Sequence, residues 1–160
     1  MSGNNLLDPL DLKILDVLQE DARMDIAQIA RRLHRSASTI TDRIHRLTEA
    51  GFIDRFVAVL DRNLVGRPIL MITLVMLDKH TAKTLKAFHD RMLELPEVQV
   101  CLHLSGKFDF LVQTTLREPE EYKVFLDSKL CNLPMVKKIQ SSLVLKECKM
   151  GTALPLDHGA

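Results

Sequence analysis

A chain of 160 residues, 46 % hydrophobic and 27 % charged, has the make-up of a folded globular protein sized for one medium domain or two small ones. The formal net charge is +1, which excludes nucleic-acid binding through bulk basicity; any such role has to rest on where the charges sit. The longest apolar run, residues 68–77 (PILMITLVML), is about half of a membrane-spanning helix, and the opening MSGNNLLDP lacks the basic flank and apolar core of a leader, so the expectation is a cytoplasmic protein with no membrane partner.

Asp8-Pro9 predicts a helix start, because aspartate caps well and proline suits the first helical position. Leu12, Leu15 and Leu18, with Ile14, give that helix one apolar stripe. Asp25 can cap a second, short helix with Ile26, Ile29, Ala30 and Leu33 inward, and Ser36 a third. In the third, Ile40, Ile44 and Leu47 fall on one face, and Gly51 supplies a left-handed stop. Residues 52–60 (FIDRFVAVL) alternate and read as a strand or wing.

Two capped helices joined by a short turn, followed by a wing, describe a helix-turn-helix. Residues 31–46 carry Arg31, Arg32, Arg35, Arg43 and Arg46 against one acid, Asp42, in a half that is otherwise acidic. The candidate DNA-contacting set is Arg35, Ser36, Ala37, Ser38, Thr39, Asp42, Arg43 and Arg46. Small residues at the helix start allow close approach to base edges, and arginines further along reach phosphate or guanine. The double-stranded operator is the expected partner; the alternative is a helix-turn-helix that contacts protein.

Residues 62–67 break the pattern and form the expected hinge. The predicted elements that follow are a strand over 69–77, a helix over 81–95 with Leu85, Phe88 and Met92 on one face, and a strand over 98–104 with Val98, Val100, Leu102 and Leu104 on one side. A turn at Ser105-Gly106-Lys107 leads to a strand over 110–116. A helix from Pro119 presents Tyr122, Phe125, Leu126 and Leu130, and a long strand covers 136–149. Leu95-Pro96-Glu97-Val98 and Leu133-Pro134-Met135-Val136 repeat the pattern LPxV where a helix gives way to a strand. Two βαβ halves predict a ferredoxin-like βαββαβ sandwich, so the fold class is α+β, with a winged helix-turn-helix over 6–61 and a sensing and assembly domain over 68–156. The strand over 69–77 is apolar on both faces although helices cover only one. Either a second subunit covers the open face, giving a homodimer, or the strand is central in a larger monomer.

Cys101, Cys131 and Cys148 are scattered and odd in number, which points to reduced, partly buried thiols, and no histidine spacing suggests a metal. Neither a nucleophile elbow nor a phosphate-binding loop or dinucleotide fingerprint is present, so an enzyme, a catalytic residue or a cofactor is not expected.

These residues resemble the leucine-responsive/asparagine-responsive (Lrp/AsnC) family of transcription regulators. The likeness lies in Asp11-x-x-Ile14-Leu15, in the segment from Ser36 through Arg43-Ile44 to Gly51-Phe52-Ile53, in Leu104-Ser105-Gly106-x-Phe108-Asp109-Phe110-Leu111, and in Thr152-x-Leu154-Pro155-Leu156. The resemblance implies dimers that assemble into octamers and a small effector, an amino acid or a relative of one, bound near the glycine turn. Ser105, Gly106, Phe108 and Asp109 match that turn, and Ser141 and Ser142 match polar positions on the last strand. Gly106 permits a tight turn whose N–H groups can hold a carboxylate, Asp109 could meet an ammonium group, and serine hydroxyls could complete the site. Lys107 stands where the family usually has an acid and would attract a carboxylate; Thr39 stands where many relatives have proline.

Overall fold

The computed structural model describes residues 7–158, so the expected domain start at residue 6 and most of the opening stretch lie outside it. The chain divides into two units. One contains the residues through Ala58 together with those from Lys149 onward; the other is Val59–Cys148.

In the first unit α1 spans Pro9–Glu20, α2 Ile26–Leu33 and α3 Ala37–Glu49. The Asp8 carboxylate accepts from the backbone N–H groups of Leu10 and Asp11 at 2.8 and 2.9 Å, and Asp11 accepts from the Asp8 N–H in return. Asp25 and Gln28 form the same reciprocal cap on α2, and Ser36 Oγ accepts from the Thr39 N–H at 3.1 Å. His34 closes α2 at φ 53°, and Gly51 follows α3 at φ 78°, a conformation glycine adopts without a Cβ clash.

The core is Ile14, Val17, Ile29, Ala30, Ile40 and Leu47. The stripe of α1 is therefore centred on Ile14 and Val17. Leu15 and Leu18 pack at its edge, and Leu12 is only partly buried, because α2 and α3 close on the i, i+3 side. The chain from Lys149 returns to α1, where Gln19 Oε1 accepts from the Leu154 N–H at 2.6 Å and Gln19 Nε2 donates to the Leu154 carbonyl at 3.1 Å.

The expected wing strand over 52–60 does not form among the described residues. After a turn that returns the Phe52 and Ile53 N–H groups to the Leu47 carbonyl, the chain runs on with no ladder partner, and Phe56, Val57, Val59 and Leu60 are exposed. Alternation alone does not make a strand when no second strand takes its hydrogen bonds.

The second unit holds β1 (Ile69–Leu77), α4 (Ala82–Leu93), β2 (Val98–His103), β3 (Phe110–Leu116), α5 (Pro119–Phe125), a π-helical turn at Leu126–Leu130, and β4 (Val136–Leu143). The strand order is β2-β3-β1-β4, every neighbouring pair antiparallel. Phe88 and Met92 of α4 and Phe125 of α5 join Val75, Leu77, Phe110 and Val112 in one core, so both helices cover the same face. This is the expected α+β sandwich, and the LPxV echo is real in three dimensions: Val98 N–H bonds Leu95 O at 3.0 Å, and Val136 N–H bonds Leu133 O at 2.9 Å.

Three details differ from expectation. A bulge between Val98 and Val100 shifts the alternation, so Val98 and Cys101 join the helix-side core while Leu102 lies opposite Leu111 on the other face. β4 ends at Leu143, opposite Met71, because β1 offers little more edge to pair with. Cys131 and Cys148 are exposed, while burial pushes the half-buried Cys101 thiol pKa up. Among the described residues no helix is long and apolar enough to cross a membrane.

Candidate nucleic-acid interface and ligand loop

With Ile40 and Leu47 buried, α3 presents Ala37, Ser38, Thr41, Asp42 and His45 outward. Ser36 Oγ lies 2.7 Å from Thr39 Oγ1 and 3.0 Å from Ser38 Oγ, so the cap and the first turn share one hydroxyl network. Thr39 is half-buried in it; Ser38 stays exposed.

The arginines of residues 31–46 divide into two groups. Arg31 and Arg35 are exposed, and Arg35 Nη1 donates to the His34 carbonyl at 3.0 Å. Arg32 pairs with Glu20 at 2.7 Å. Arg43 and Arg46 do not reach outward as expected. Arg43 Nη1 pairs with Asp8 and with Asp11 at 3.0 Å, and Arg46 Nη2 pairs with Asp11 at 2.6 Å. Asp11 is 1 % exposed, and a carboxylate taken out of water draws in whatever cations can reach it. Much of the local positive surplus is thus neutralised inside the unit.

Asp8 and Asp11 were not among the residues expected at this face. The signal was present: Asp11 stands three residues before Ile14, on the side of α1 that turns inward, and a buried acid calls for a partner. The Arg43 hydrogen bond, ahead of the backbone bonds from Asp11 and Leu10, holds the Asp8 carboxyl below the ordinary aspartate range. Hydrogen bonds to Asp8 and then to Asp11 push the Arg43 pKa up.

In the second unit Ser105, Gly106 and Lys107 are exposed in the loop joining β2 to β3. Gly106 has φ 139°, where a side chain would be strained although the space around it is open. Lys107 Nζ sits 6.0 Å from the Phe108 ring centroid. Asp109 is buried and already engaged: Oδ2 accepts from the Leu77 N–H at 2.7 Å, and Oδ1 lies 2.6 Å from His80 Nδ1. An ammonium group would have to displace His80 to reach it.

Ser141 and Ser142, adjacent on a strand, point to opposite faces. Ser141 lies opposite Thr73 on the helix side and accepts from the Tyr122 hydroxyl; Ser142 lies opposite Ile72 and is exposed. The loop leaves the sheet beyond Val75, three residues past Ile72, so within one chain Ser142 is at least ~10 Å from it along the strand.

Comparison with known proteins matches both units. Residues 7–54 match the family described as winged helix-turn-helix DNA-binding, and residues 70–154 the Lrp/AsnC ligand binding domain. The Bkd operon transcriptional regulator of Pseudomonas aeruginosa is 30 % identical, over 94 % of this chain and 98 % of its own length. The proline dehydrogenase transcriptional activator of Rhizobium radiobacter is 32 % identical, over 89 % and 92 %. Among solved structures, a transcriptional regulator of Neisseria meningitidis in complex with L-Met superposes with TM-score 0.90 at 31 % identity, covering 96 % of this chain and 99 % of that one.

Proposed function

This chain belongs to the Lrp/AsnC family of transcription regulators, and on that premise we propose that α3 reads operator DNA and that the β2–β3 loop takes part in sensing a free amino acid. It is a regulator with a helix-turn-helix and a ligand-binding domain, not an enzyme.

The observation that carries the DNA assignment is the outer face of α3, which its own unit leaves uncovered. Ala37, Ser38 and Asp42 approach base edges, and Arg35, beside the Ser36 cap, reaches phosphate. Thr39 acts through the hydroxyl network that holds Ser38 in place. The functional borders are 6–61 for DNA binding, 62–67 for the hinge and 68–156 for sensing and assembly, with the tail from Lys149 docked back on α1.

Selection from a random duplex pool tests this reading. The expected outcome is a recovered consensus whose affinity falls steeply with salt and whose base preferences relax in Ser38→Ala. A pool returning no common sequence rejects it.

The L-Met complex of the Neisseria neighbour supports an amino acid as the effector class. The exposed turn at Ser105, Gly106 and Lys107 suits the carboxylate end, through its backbone N–H groups and the lysine. Asp109 and Ser141 support the site from inside the unit. A native-state ligand raises the melting temperature, so a panel of free amino acids starting with L-Met is the check; no shift with any of them removes the amino-acid assignment.

Assembly follows from the open sheet face. Ile72, Leu74 and Leu111 are half-buried there and Leu102 is 50 % exposed, an apolar patch that a second copy would cover. Sedimentation should give a dimer or a multiple of it, and a monomer at micromolar concentration would remove this part. The octamer implied by the family resemblance is read from the same run.

A further inference from the structure

α3 contains two arginines, Arg43 and Arg46, and both are turned onto the first turn of α1. Three donors converge on Asp11: Arg43 Nη1 at 3.0 Å, Arg46 Nη2 at 2.6 Å and the Asp8 N–H at 3.1 Å. The acid is 1 % exposed, whereas the arginine side chains that hold it are 28 % and 55 % exposed. If the acid were neutral, Arg46 would lose the carboxylate it is paired with, whereas Arg43 would keep Asp8.

Arginine contacts to phosphate add affinity for every sequence alike, while base-edge contacts discriminate. Two mobile arginines on the reading helix would strengthen binding to any duplex. We propose that Asp11 is a specificity-determining residue: it holds Arg43 and Arg46 away from phosphates and so keeps sequence-independent DNA affinity low. This inference rests on the DNA-reading assignment above and gives Asp11 a role beyond packing. A purely structural clamp predicts the opposite sign, since loosening α3 would weaken binding to all DNA.

The test uses the full-length protein, a mixed-sequence duplex and a salt series. Asp11→Asn keeps the shape and a hydrogen-bond acceptor while removing the charge. Its affinity for the mixed duplex should rise several-fold at low salt, and the log–log salt slope should steepen by about one, for Arg46. Asp8→Asn added to it, with asparagine still able to cap, should release Arg43 and steepen the slope again. Asp11→Asn combined with Arg46→Gln should return to the wild-type slope.

Asp54→Asn removes an equal charge from an exposed site whose partner is Arg55, and should change the slope less. Unchanged or weaker mixed-duplex binding by a folded Asp11→Asn overturns the inference, as does an equal gain in Asp54→Asn. If Asp11→Asn does not fold, Arg46→Gln alone decides: the arginine is already withheld, so mixed-duplex affinity should hold, and a loss overturns the inference. A wild-type protein that binds no duplex at all refutes the DNA-reading assignment itself.

Discussion

Each unit buries one aspartate among its described residues, and the two are held in different ways. Asp11 is gripped by two arginines that stand 32 and 35 residues further along the chain, so its partners are side chains brought in by helix packing. Asp109 is held by the Leu77 backbone N–H on the neighbouring strand, with His80, 64 % exposed, as its second partner. One buried charge welds two helices together; the other closes the end of a sheet. In the small first unit the charged clamp supplements a core of six buried aliphatic residues, whereas the second unit has three buried phenylalanines and needs less help.

The largest effect should come from that aromatic core. Phe88 is fully buried and lies 4.6 Å from the Phe110 ring, so Phe88→Ala should cost about 3–5 kcal/mol in chemical denaturation. The loss should appear in the transition of the second unit; an equal loss in the first would break the picture of two separate cores.

A smaller effect tests the grip on Asp109. Asp109→Ala leaves the Leu77 N–H without a partner and should cost about 1–3 kcal/mol, while His80→Ala should cost under about 1 kcal/mol because the histidine is mostly in water. If His80→Ala costs as much, the two aspartates are held alike after all. Gly106→Ala, at φ 139°, should destabilise by about 1 kcal/mol from backbone strain alone, read by melting temperature.

The smallest effect concerns pH. The Asp8 carboxyl is depressed mainly by its Arg43 hydrogen bond, so its contribution is complete above the unfolded aspartate value of about 3.9 and fades as pH falls through the lower folded value. Stability of the first unit measured across that range should fall less steeply in Asp8→Asn. Identical slopes would mean the clamp draws nothing from Asp8.

Local features were legible because their physics is local. Caps at Asp8, Asp25 and Ser36, the stop at Gly51, the start at Pro119 and the β1 and β3 boundaries depend on neighbours a few residues away, and each stands where the residues place it. The LPxV echo disclosed the duplicated βαβ halves for the same reason. Family membership was readable from short motifs, and with it the function.

The direction of a long side chain was not legible. Periodicity put Arg43 and Arg46 to one side of α3, but a guanidinium on a flexible stem goes to the nearest buried carboxylate, and that carboxylate belongs to another helix. The wing failed likewise, since a strand exists only with a partner, and Ser141 and Ser142 were parted by the pleat of a sheet whose faces only packing distinguishes. Sequence alone determined the family and, the wing apart, the order of elements, because hydrogen bonds and hydrophobic periods act over a few residues. Tertiary structure decided which arginines are clamped to a buried carboxylate and which stand exposed, because that depends on which helices come to lie side by side.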